Sequence, residues 1–164
     1  MNNASSARAP FSPARTLLFG TVAVGTVDIC WAFFWTAIGG HGPVYVLQSV
    51  AGGWLGAATY DGGLATAFLG MFTHYFIAGS VMTTYFLVSR RFPELARRPW
   101  VYGPLYGILV YFIMNQLVLP LSAWHTTGVH LNKALVKGLI IHMFGIGLIA
   151  ALVTRRGTAG AYPR

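Results

Sequence analysis

Three ionisable side chains stand inside runs that are otherwise almost wholly apolar: Asp28 in GTVDICWAFFW, His74 in GMFTHYFIA and His142 in IIHMFGIGL. In hydrocarbon such a side chain costs about 2.5 to 3.5 kcal/mol, so it usually faces a partner or a water-filled cavity. A carboxylate and two imidazoles can relay a proton or hold a cation, because histidine titrates near physiological pH. The two histidines can instead ligate a haem iron, or a metal ion together with a carboxylate. The third reading is a hydrogen-bonded set that only fixes helix register.

Further polar candidates lie nearby in the sequence. Asn115 and Gln116 are read as interhelical hydrogen-bond partners or as part of a second layer with Lys137, whose long stem can also snorkel to the headgroups. Gln48 sits in the segment PVYVLQSVAGGWLGAATY. His41, His125 and His130 fall in or near loops. The single Cys30 can form no internal disulfide. HExxH, CxxC, P-loop and GxSxG patterns are absent, and of the three carboxylates Asp61 and Glu94 read as loop residues. An enzyme of the soluble type is not expected.

The elements that must carry these residues follow from composition. Charged residues make up 9% of the chain and hydrophobic residues 55%, against about 25% charged in a soluble domain. Four apolar runs, about Leu17 to Ile38, Leu64 to Val88, Val101 to Leu121 and Leu131 to Val153, are each long enough to cross a hydrocarbon layer roughly 30 Å thick. Each must be helical, since backbone in lipid has to satisfy its own hydrogen bonds. The expected fold is an all-α four-helix transmembrane bundle, with residues 1–14 a disordered tail, 15–156 one domain and 157–164 a short tail. A cleaved signal peptide ending near Ala37-Ile38-Gly39 is the competing reading of the first run; its length and its Trp and Phe content favour a span.

The net charge of +8 does not form a nucleic-acid stripe. Arg8, Arg15, Arg90, Arg91, Arg97, Arg98, Arg155, Arg156 and Arg164 all fall on one side of a four-span chain, and Lys133 and Lys137 on the other, which predicts cytoplasmic N- and C-termini. The link after the first run begins at Pro43, and Val44, Leu47, Ala51, Trp54 and Ala58 recur at helical spacing. It reads as a short amphipathic helix on the outer face, or as a re-entrant segment shielded by protein.

Counting from these boundaries at 1.5 Å per residue puts Asp28 roughly 16 Å from the inner end of its run, and His74 and His142 at a similar depth from the outer ends. The three share a layer near the midplane. Small residues flank them at helical spacing, including Gly25 and Ala32, Gly70 and Ala78, and Gly138 and Gly145. The polar faces therefore point into the bundle. The stripe Gly103, Gly107, Tyr111, Asn115 reads as helix packing.

The segments GTVDI, VLQSVAGGWLG, GMFTHYFIA, NQLVLPLSA and IIHMFGIGL resemble a family of uncharacterised bacterial four-span membrane proteins, with a more distant similarity to the YagU-like inner-membrane proteins. The resemblance covers about residues 17 to 156, at positions Asp28, Gln48, His74, Asn115, Pro120 and His142. It implies the architecture and a bacterial inner membrane, and it implies no reaction.

The leading functional expectation is a structural or accessory membrane subunit whose Asp/His layer specifies packing. The first alternative is a small proton- or cation-linked transporter or channel using Asp28, His74 and His142, with Asn115, Gln116 and Gln48 as further candidates. The second is a haem or metal site at His74 and His142. The expected partners are the lipid bilayer and, through small-residue faces, a second copy or another membrane protein.

Overall fold

The computed structural model describes residues 11–125 and 133–158. Most of the expected N-terminal tail, Arg8, His130, Arg164 and most of the C-terminal tail lie outside these. Among the described residues every regular element is helical. Four stretches are long and apolar enough to cross a membrane.

Helix α1 spans Pro13–Ile38 and so begins four residues before the hydropathy boundary. Ser12 caps it, its hydroxyl accepting from the Arg15 N–H at 3.3 Å, and Pro13 fills the first turn, where a missing N–H costs nothing. Helix α2, Pro43–Leu55, is followed by a tight 3-10 segment, Gly56–Gly62, and then by α3, Gly63–Arg91. Gly56 and Gly63 bracket that segment with φ of 60° and 56°, and these positive angles let the chain reverse twice.

The direction of α2 follows from its contacts. The Gln48 amide donates to the Gly63 carbonyl at 3.0 Å and to Thr66 Oγ1 at 3.3 Å, and six residues later the Trp54 indole donates to Thr73 Oγ1 at 3.0 Å. The two helices therefore advance together, and the 3-10 segment climbs back between them. Thr59 closes the hairpin by donating to the Gln48 carbonyl at 2.8 Å.

This link doubles back on itself, and the expected apolar stripe is divided: Val44, Trp54 and Ala58 are exposed, Leu47 is half-buried and Ala51 is buried together with Gln48 and Gly52. Val46 is buried as well, and Leu55 is exposed. A helix surrounded by hydrocarbon hides its amide groups and shows its apolar side chains outward.

Helix α4, Glu94–Arg97, turns the chain into α5, Pro99–Ile113. The third span continues through a π-helical stretch, Met114–Val118, into α6, Leu119–Leu121. Pro120 lacks the N–H that would serve the Gln116 carbonyl, and the wider π turn lets the chain continue past it. The fourth span comprises α7, Lys133–Ile140, a second π stretch, Ile141–Leu148, and α8, Ile149–Gly157.

Backbones approach closely where α5 meets the second π stretch. A side-chain carbon on Gly107 would collide with the His142 carbonyl, and one on Gly147 with the Gly103 carbonyl. The fourth span also packs on α1 and α3, making it the hub. Arg15, Arg90, Arg91, Arg97, Arg98, Arg155 and Arg156 gather at one end of the bundle, called here the arginine end. The dry core fills that half, with Val24 from α1, Met82, Tyr85 and Phe86 from α3, and Ala150 and Val153 from α8.

Candidate functional site

Towards the opposite end the core gives way to a cavity of about 250 Å³. Its polar lining is Asp28, His74, Asn115 and His142, one side chain from each of the four spans, and Val50 of α2 closes one side. The shared layer is real, but it does not sit at the centre of the helices. Asp28 lies about 22 Å from the start of α1 and about 15 Å from its end; His74, Asn115 and His142 are likewise displaced away from the arginine end. The earlier start of α1 and the long α3 account for the difference.

One N–H of each of these nitrogen-bearing side chains has a traceable destination. His74 Nε2 lies 2.8 Å from the Gly25 carbonyl, and His142 Nδ1 lies 2.9 Å from the Gly138 carbonyl. A carbonyl oxygen only accepts, so those nitrogens carry the protons, and in neutral rings His74 Nδ1 and His142 Nε2 are left as acceptors. Asn115 Nδ2 donates to the Tyr111 carbonyl at 2.9 Å. Tyr75 packs edge-on to His74 and Tyr111 edge-on to His142, fixing both rings.

Asp28 differs from the others. It is within electrostatic reach of both imidazoles, yet it makes no hydrogen bond or ion pair among the described residues. The direct carboxylate–imidazole bond expected of a purely structural layer is not formed. The carboxylate borders the cavity.

The other candidates separate. Asn115 joins the Asp28 layer, so the expected second layer with Gln116 and Lys137 does not assemble. Gln116 is exposed. Gln48 is 7% exposed and knots the α2 hairpin. The half-buried Lys137 ammonium lies 3.6 Å over the ring of Trp35, near the outer end of α1, a cation–π contact clear of the cavity. No group of three His, Cys, Asp or Glu side chains among the described residues converges on a metal position. The bis-histidine haem geometry is not assembled either, because His74 Nε2 is engaged by Gly25.

Three features escaped the sequence. Val50 reaches the site only because α2 descends beside α3. The chain after α6 ties down α2: Ala123 N–H donates to the Gly53 carbonyl at 2.9 Å, and the Trp124 indole to the Ser49 carbonyl at 2.9 Å, with its ring against Gly52. Two π stretches carry Asn115 and His142, and such stretches recur at functional sites. The Pro120 that follows Asn115 was the one available signal.

The chain matches no protein-family description, no curated protein and no solved structure.

Proposed function

We propose that this chain is a small proton- or cation-linked membrane carrier, with the cavity bordered by Asp28, His74, Asn115 and His142 as its binding site. One observation carries this reading: the Asp28 carboxylate has no protein partner and lines a void. An unpaired carboxylate costs about 2.5 to 3.5 kcal/mol within hydrocarbon, whereas an interhelical hydrogen bond there returns about 0.6 kcal/mol on average. A residue kept only for packing would be served better by an apolar side chain.

The dry core between the cavity and the arginine end argues for a carrier and against a standing pore. Met82 and Tyr85 are almost completely buried across that path. A site closed on one side by packed core and capped on the other by α2 has to change shape to release what it binds.

The arginines gathered at one end support cytoplasmic termini, and the family resemblance supports a bacterial inner membrane. Proteoliposomes containing the full chain provide the test. With an imposed pH gradient, the wild type is expected to dissipate the gradient faster than empty vesicles, and Asp28→Asn to return to the empty-vesicle rate. Equal rates in wild type, variant and empty vesicles would overturn the proposal.

A further inference from the structure

The cavity has a neighbour. A groove of about 310 Å³ runs between α3 and α5, and it shares Ile77, Val81, Val110 and Met114 with the cavity. Here α3 and α5 meet through side chains, without the close backbone approach seen elsewhere in the bundle. Towards the arginine end the groove is closed by Tyr106, whose hydroxyl donates to the Val81 carbonyl at 2.8 Å. Its outer rim is open: on the third span Leu109 is 54% exposed, Ile113 42% and Val118 37%, and on α3 the exposed Ser80 and Thr84 turn their hydroxyls onto the Phe76 and Ser80 carbonyls at 2.9 and 2.8 Å. In a spanning helix these rim side chains face hydrocarbon. The partition between groove and cavity consists of the four shared side chains, and one of them is a flexible methionine.

The polar inventory of the cavity states what it takes. One N–H each from His74, His142 and Asn115 is already spent on a backbone carbonyl. What remains is the Asp28 carboxylate, one ring nitrogen of each neutral histidine, the Asn115 amide oxygen and its second N–H. Apart from that N–H these are acceptors, with one negative charge among them. Lys137 is held over Trp35 and does not line the cavity. A ligand that satisfies such a set brings donors and positive charge.

We propose that the ligand is a lipophilic primary ammonium ion that enters sideways from the membrane between α3 and α5, its head beside Asp28 and its alkyl tail along Leu109, Ile113 and Val118. The inference rests on the carrier reading for the existence of the site, and adds the ligand class and the route. An ammonium head supplies three N–H donors. The apolar groove accounts for the tail.

The test is photolabelling of the full chain in lipid nanodiscs by a decylamine carrying a diazirine in its tail, with labelled residues read by mass spectrometry. Labelling is expected on the peptide holding Leu109 to Val118. It is expected to be competed by decylamine and not by decanoic acid or decanol, and to fall about tenfold in Asp28→Asn. Competition runs on the wild-type protein, so a poorly folded variant does not blunt the test. Equal competition by the acid or the alcohol would overturn the ammonium assignment.

Methylammonium, which has the head and no tail, separates the two levels of the proposal. If it competes as well as decylamine, and if Leu109→Trp at the rim leaves labelling intact, the lateral route fails while the cation site stands. If no amine competes and Asp28→Asn labels like wild type, the binding site itself falls.

Discussion

His74 on α3 donates from Nε2 to the carbonyl of Gly25 on α1 at 2.8 Å, one helical turn from Asp28. The bond fastens the first two spans at the level of the cavity and sets the ring so that its other nitrogen is free of protein partners. Gly25 permits the approach, since a side-chain carbon there would strike the Tyr75 ring.

Removing that fastening has a modest expected cost. His74→Leu should lower the unfolding free energy by about 0.6 to 1.7 kcal/mol, the range for hydrogen bonds between membrane helices. Reversible unfolding in mixed micelles measures it. A variant as stable as wild type would show that the bond contributes nothing to holding α1 against α3.

The glycines predict a contrast. Gly107→Val places carbons against the His142 carbonyl and Met143 backbone, where no side chain can yield, and is expected to cost about 3 kcal/mol or more. Gly79→Ala meets only the Thr21 side chain at ordinary contact distance, and should stay within about 0.5 kcal/mol. Comparable losses at both positions, in the same unfolding assay, would contradict the assigned packing.

The α2 hairpin makes a prediction about depth. With Cys30 replaced by Ser, a spin label at Trp54 should show the oxygen-rich, nickel-poor environment of hydrocarbon, at a depth close to that of a label at Phe72. An interfacial helix would instead give Trp54 the nickel accessibility of a label at Asp61. Gln48→Leu should move the Trp54 label towards the interfacial values, because it removes the bonds to Gly63 and Thr66.

Much of the bundle was legible because lipid imposes severe rules. Apolar runs of sufficient length must be helices, and a charged side chain inside one must turn inward; that argument alone brought Asp28, His74 and His142 together. Asn115 falls in another layer when depth is counted from Leu17, but α1 starts at Pro13, which puts Asp28 about 22 Å along its span and level with Asn115 at about 24 Å along the third. The α2 face is only partly legible, Ala51 of the apolar stripe being buried and Trp54 of the same stripe exposed. Amphipathic reading assumes water on one side, whereas a hairpin beside α3 buries Gln48 and exposes Trp54. The partner of Lys137 is not legible either, because nothing in its own segment announces Trp35, which comes from α1.

The central claim is that Asp28 is retained for what it binds and not for what it holds together. The unfolding free energy of Asp28→Leu tests this most directly. No protein partner is lost by the change, and an intramembrane charge is removed, so the variant is expected to be at least as stable as wild type. A loss of about 3 kcal/mol, the cost of breaking a buried ionic pair, would contradict the account and return Asp28 to a structural role.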